Sequence, residues 1–349
     1  MNRPIILLST VLSCVFITAC VGRSHIPYQP DNSSTAATDI ASSQHFEYTK
    51  QTVPFENHIL REDESKYYIL RHIRLPSSGD NGQPENTMTL RYYESKLPGR
   101  KGLVIVLPIW GSSIYPPKKI TRSLIKKTKG RLNIMWVEGP RQLFDWQQLK
   151  QSTNEDEFAV AVRKTTERLQ TNVIDIRRLV DWSETQPDID PQRIGLVGFS
   201  ISAIAAALVL PHDQRFASSV LVMGAAQPSK MIALCYGRLA EVREIITERF
   251  NWTVEEYQTF VEKIYHDFDP AIYAGKSDPE NILLIDARND TCMPESARDA
   301  MWHALGKPER ISINYGHKTS FLAMTPIGFN FLNGVIVKFL REHLDTDKQ

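Results

Sequence analysis

The chain carries two kinds of apolar pattern in alternation. Short continuous apolar runs fall at residues 102–108, 132–137, 194–197, 219–223, 281–285 and 311–315. A run that is apolar at successive positions suits a strand covered on both faces. Between these runs lie longer stretches with apolar residues three and four apart. Residues 124–129 close a basic amphipathic helix. Residues 156–185 carry Val162, Leu169, Val173, Ile176, Leu179 and Val180 at roughly helical spacing, which fits one long helix or two broken ones. Residues 203–210 are small and apolar, and 321–344 are helical in pattern apart from Pro326 and Gly328. Strands alternating with helices predict an α/β fold, a mostly parallel central sheet with helices on both faces.

Two stretches depart from that alternation. Residues 67–75 and 87–93 are rich in β-branched and aromatic residues. The turn-rich segment PSSGDNGQPEN between them predicts a hairpin that supplies antiparallel edge strands. Residues 228–268 are helical and amphipathic, and longer than a plain crossover between strands needs to be. They predict a small helical cap inserted into the sheet domain. Asp188, Asp190 and Pro191 predict a turn that feeds the strand at 194.

The first fifty residues follow neither pattern. Arg3 precedes an apolar run at 5–19, the length of a signal-peptide core and too short for a stable span. The run ends in ITAC, with Cys20, and resembles the lipobox of bacterial lipoproteins. That resemblance implies cleavage before Cys20 and acylation of its thiol and new amino group. Residues 1–19 are then a signal peptide, and several acyl chains hold the protein to a membrane. Val21 stands where an inner-membrane retention signal has aspartate, which implies the periplasmic face of the outer membrane. Residues 20–52 are rich in Ser, Thr, Ala, Asp and Pro and read as a flexible tether, leaving 53–349 as the folded domain.

Composition narrows the picture further. The 349 residues are 42% hydrophobic and 23% charged, enough chain for a sizeable core. The formal net charge of +1 gives no reason to expect a nucleic-acid partner, and the basic cluster Lys118, Lys119, Lys126, Lys127, Lys129 reads as a solvated helix face. Of four cysteines, Cys14 leaves with the signal and Cys20 is acylated. Cys235 and Cys292 remain, 57 positions apart, with no metal-ligand spacing. In an oxidising compartment they are either bonded or two separate buried thiols, the second being the preferred reading.

The chemistry gathers at residues 198–202, GFSIS, between the strand at 194–197 and the helix at 203–210. A strand that turns straight into a helix folds back sharply. Its apex residue is strained, and only small neighbours two positions either side let strand and helix pack closely. The apex is Ser200 and the neighbours are Gly198 and Ser202. A serine hydroxyl there stands at the carboxyl end of a sheet, over a helix N-terminus suited to hold an anion.

This corner resembles the nucleophile elbow of the α/β-hydrolase superfamily, GxSxG, with Ser202 at the position of the last glycine. The resemblance covers the chain from about 67 to 344. It implies a Ser–acid–His order, the acid and histidine coming from loops after later strands. After the strand at 281–285 comes DARNDTCMP. Asp290 is the preferred acid there, and Asp286 its rival. After the strand at 311–315 comes Gly316-His317. Of nine histidines only His317 lies just past a late strand. The resemblance also implies an oxyanion hole of backbone N–H donors, each contributing about 3–4 kcal/mol. Ile201 supplies one. The other is Trp110, in the loop PIWGSS where many members read His-Gly before the donor.

These features predict a serine hydrolase acting on a small-molecule ester or related acyl bond. Ser200 attacks, His317 moves the proton and Asp290 orients His317, with no metal or organic cofactor required. A peptidase of the prolyl-oligopeptidase kind, an acyltransferase or thioesterase, and a non-catalytic envelope lipoprotein are the competing expectations. The substrate and the oligomeric state are not legible in the sequence.

Overall fold

The computed structural model describes residues 23–30, 44–50, 58–78, 87–109, 115–138, 142–326, 328 and 330–346. Its strands are β1 (Arg23–Ile26), β2 (His58–Glu64), β3 (Tyr68–Pro76), β4 (Thr87–Ser95), β5 (Lys101–Val106), β6 (Leu132–Glu138), β7 (Ile189–Phe199), β8 (Phe216–Val222), β9 (Ile282–Ala287) and β10 (Glu309–Ile313). Among the described residues they form one sheet in the order β1-β10-β9-β8-β7-β5-β6-β4-β3-β2. The pairs β5–β6, β5–β7, β7–β8, β8–β9 and β9–β10 are parallel. The hairpin β3–β4 joins them antiparallel through β6, and β2 extends it.

Both faces of the parallel part are buried, which is why its strands read as continuous apolar runs. In β5, Leu103 and Ile105 point to one core and Val104 and Val106 to the other, all fully buried. The first core is covered by α3 (Glu155–Glu184), α4 (Ile201–Val209) and α8 (Glu295–Ala304). The second is covered by α1 (Tyr115–Thr128) and α9 (Phe331–Leu344). A Cβ on Gly195 would lie 2.6 Å from Leu344 Cδ1, so the bare glycine lets the end of α9 lie against β7.

The stretch at 156–185 is one helix of 30 residues, α3. No Gly or Pro interrupts it. Asn154 caps it by accepting the Glu157 N–H at 2.9 Å, and Glu155, Asp156 and Glu157 place negative charge at the positive end of its dipole. Between β8 and β9 lie α5 (Pro228–Leu234), α6 (Arg238–Phe250) and α7 (Val254–Tyr265), after the short α2 (Trp146–Gln151). Four aromatic residues of this insertion pack around one ring of α3. Phe158 of α3 meets Phe250, Trp252, Tyr257 and Phe260 within 6.5 Å, ring centre to ring centre.

Two expectations need correcting. Asp188 lies in a turn before β7 as expected, but Asp190 and Pro191 already belong to β7. Ile189 pairs with Lys101, the register then slips, and Ile194 pairs with Leu103. Pro191 falls in that irregular stretch, where its missing N–H costs no ladder bond. The tether at 20–52 is packed in two places. β1 pairs antiparallel with β10, with Arg23 opposite Ile313. Farther on, Phe46 is fully buried, edge-on to Phe268, His212 and Tyr273. Tyr48 donates its hydroxyl to Asp181 at 2.9 Å, and burial with the nearby carboxylate pushes that hydroxyl up to about 12. Isolated anchors in a polar stretch produce no periodic pattern, so composition alone reads as unstructured.

Candidate active site

Ser200 sits between β7 and α4 with φ 54° and ψ −120°. That is a costly conformation for a residue with a side chain, and it persists where the surroundings fix it. Three contacts do so. The Ser200 N–H donates to Val222 O of β8 at 2.8 Å. A Cβ on Gly198 would lie 2.7 Å from the Ser202 carbonyl carbon and 2.9 Å from Ala203 Cα, so only glycine fits. Ser202 Oγ accepts the Phe199 N–H at 2.8 Å and donates to Phe199 O at 3.0 Å. The serine in place of the usual last glycine therefore ties the end of β7 to the first turn of α4. A further close approach was not foreseen from the sequence: a Cβ on Gly224 would lie 2.7 Å from Ala203 Cβ.

Ser200 Oγ lies 2.9 Å from His317 Nε2, and His317 Nδ1 lies 2.6 Å from Asp290 Oδ2. With Nδ1–H donating to the carboxylate, Nε2 is left as the acceptor that faces the serine hydroxyl. The other Asp290 oxygen accepts the N–H groups of Cys292 and Met293, both at 2.9 Å. The Asp290 side chain is fully buried and the His317 side chain is 12% exposed, so the pair is largely shielded from water. Asp286 belongs to a different network. It accepts from Arg310 Nε at 2.9 Å and Nη2 at 2.5 Å, and lies 3.4 Å from Arg298. Of the two acids the sequence offered, Asp290 is the one beside His317.

The loops that carry acid and histidine are knitted together. Arg288 N–H donates to Ile313 O at 2.9 Å and Asn289 N–H to Tyr315 O at 3.0 Å. The histidine turn is closed by Gly316 N–H to Thr319 Oγ1 and by Ser320 N–H to Gly316 O, both at 2.9 Å. Phe321, in the turn that follows, stands edge-on to His317.

Cys235 and Cys292 form a disulfide, which corrects the expectation of two separate thiols. Cys235 caps the C-terminus of α5 and Cys292 lies in the acid loop, so the bond joins the helical insertion to the segment holding Asp290. Sequence separation carried no sign of this, because the insertion folds back over the sheet edge. The next residue, Tyr236, is 37% exposed, and Lys318 Nζ lies 4.5 Å from its ring centre. Burial and the nearby Asp290 carboxylate raise the Tyr236 hydroxyl above its ordinary range.

Ile201 is the first residue of α4, so its N–H has no acceptor within the helix and lies beside the serine at the positive end of the dipole. Trp110 and Cys20 lie outside the described residues. The strand leading to Trp110 is held at its end by Leu107 N–H to Val197 O at 2.9 Å. Among the described residues, no group of three or more His, Cys, Asp or Glu is arranged to hold a metal ion.

Strand order, elbow and loop positions define an α/β-hydrolase fold, and solved structures bear this out. The chain is similar to acetyl xylan esterase 1 from Thermoanaerobacterium sp. JW/SL YS485, with 14% identity, a TM-score of 0.63, and 83% of this chain and 88% of that one covered. It is equally similar to the acetyl xylan esterase from Paenibacillus sp. R4, with 14% identity, a TM-score of 0.62, and 84% and 90% covered. An acylaminoacyl peptidase from Pyrococcus horikoshii matches at 14% identity and a TM-score of 0.53, over 82% of this chain and 43% of that one. No protein-family model and no curated protein matches the sequence.

Proposed function

We propose that this chain is a serine hydrolase that cleaves a carboxylic ester through an acyl-enzyme on Ser200. The observation that carries the reading is the hydrogen-bonded line Ser200–His317–Asp290, built on a strained elbow at the carboxyl edge of the sheet. His317 Nε2 takes the hydroxyl proton as Ser200 Oγ attacks the carbonyl carbon. Asp290 holds the ring and stabilises the imidazolium. The oxygen that gains charge is held by the Ile201 N–H, with Trp110 N–H as the second donor. The imidazolium then protonates the leaving alkoxide. Water, deprotonated by the same nitrogen, releases the acyl group and restores Ser200.

The chain is, on this reading, exported and lipid-anchored through Cys20. The lipobox supports this, and so does the Cys235–Cys292 disulfide, a bond that persists in oxidising compartments. Fatty-acid labelling of the wild type, lost in Cys20→Ala, is the expected result.

The test of activity is a series of p-nitrophenyl esters of rising acyl length beside peptide p-nitroanilides, with Ser200→Ala in parallel. Ester turnover and fluorophosphonate labelling, both lost in the variant, are expected. Turnover of anilides over esters would favour a peptidase. Neither turnover nor labelling in the wild type would leave a binding protein on a hydrolase fold.

A further inference from the structure

We propose that the mouth of this site faces a lipid surface, and that the ester it takes is borne by an amphiphile lodged in that surface. The proposal rests on the hydrolase and Cys20-anchor readings above and gives them a substrate class.

β10 runs parallel to β9 and so ends, at Ile313, on the edge of the sheet where Ser200 and His317 meet. His317 follows four residues after Ile313. β1 is antiparallel to β10, with Arg23 opposite Ile313 and Ile26 opposite Arg310. The chain therefore enters β1 from the catalytic edge. Cys20 precedes Arg23 by three residues, which span at most about 10 Å. An acylated Cys20 brings that edge to the bilayer and turns the amino ends of the parallel strands away from it. A tether of thirty residues would have erased this orientation, but β1 removes it.

The side chains on the same edge suit such a neighbour. Tyr115 opens α1 after β5 and is 38% exposed. Leu234 and Tyr236 stand at the end of α5, and Leu322 lies in the turn after His317, 45% exposed. Ile59 and Leu60 of β2, at the far end of the sheet, are as exposed, so these groups suit apolar contact at the mouth while the anchor next to β1 selects this edge. Cations accompany them. Arg23 lies 5.1 Å from the ring centre of Phe331 at the start of α9, and Lys318 lies over Tyr236. Rings paired with cations fit the headgroup layer of an anionic membrane.

The test uses the full-length acylated protein in vesicles of phosphatidylethanolamine and phosphatidylglycerol. It is compared with a variant carrying a Gly/Ser spacer of about 20 residues after Gly22, long enough to let the domain swing free. The spacer should lower turnover of vesicle-embedded 4-methylumbelliferyl oleate several-fold and leave water-soluble 4-methylumbelliferyl acetate unchanged. Equal turnover of the embedded ester by both chains would overturn the proposal. Orientation has a readout independent of catalysis. A bimane label on Leu322→Cys should be quenched by doxyl lipids, and one on Glu280→Cys, exposed before β9, should not. Equal quenching at both sites would also overturn the proposal. If neither ester is turned over but only the Leu322 label is quenched, the hydrolase reading fails and the membrane-facing mouth stands. A mass spectrum of the mature chain without acyl groups on Cys20 removes the anchor and the proposal together.

Discussion

Cys292 donates its backbone N–H to Asp290 at 2.9 Å while its sulfur is bonded to Cys235. The carboxylate hydrogen-bonded to His317 is thus held through a residue clamped to the end of α5. Replacing both cysteines by serine should lower kcat by about ten- to a hundredfold, since small displacements of a catalytic group have effects of that size. KM should change little. The unfolding free energy should fall by about 4 kcal/mol for a loop of this length. A variant with wild-type kcat, measured where it remains folded, would show that the acid loop holds itself.

The two candidate acids should separate cleanly in kinetics. Asp290→Asn leaves the shape of the site but removes the acceptor of the Nδ1–H, and should lower kcat by about three to four orders of magnitude. Asp286→Asn breaks the pairing with Arg310 and Arg298 and should reduce thermal stability with kcat within a few-fold of wild type. The reverse pattern would exchange their roles.

Ser202 is small enough for the elbow and also bonds both backbone polar groups of Phe199. Ser202→Ala keeps the size and leaves the buried Phe199 N–H without its partner. The expected loss is about 1–3 kcal/mol in urea unfolding, with a fall in kcat as the elbow loosens. Unchanged stability would mean that another acceptor takes over.

His212 gives the fold a pH dependence of known sign. Burial lowers its pKa below the ordinary 6.5, with Arg177 and Lys276 adding to the effect. Its Nδ1 donates to Leu208 O, its Nε2 is buried without a hydrogen-bond partner, and the ring packs edge-on against Phe46 and Tyr273. The stability tied to its neutral form is complete above the unfolded pKa and is lost as pH falls through the window below it. Thermal unfolding between about pH 7 and 5 should show a drop that His212→Gln reduces. A parallel drop in the variant would assign the effect to other groups.

Much of this was legible in the sequence. Continuous apolar runs marked the buried strands, because those strands are covered on both faces. The order of GFSIS, Asp290 and His317 marked three residues that the fold brings together, because loops at one sheet edge meet whatever their distance along the chain. The disulfide, β1 and the burial of Phe46 were not legible. Each depends on one or a few residues meeting a partner far away in sequence, and such contacts impose no period on their own segment. Pro191 misled for a related reason: a proline usually ends a strand, and here it occupies an irregularity within one.

The pairing of β1 with β10 also sets an order of events. β1 is the first of the described strands and its partner β10 the last, so it waits until every other strand of the sheet has been delivered before it can be laid down. Until then the outer edge of β10 does not exist, and afterwards β1 covers it against pairing with another molecule. Completion of this sheet therefore requires the chain as far as Ile313, and a chain truncated before residue 309 would be left with β1 unpaired.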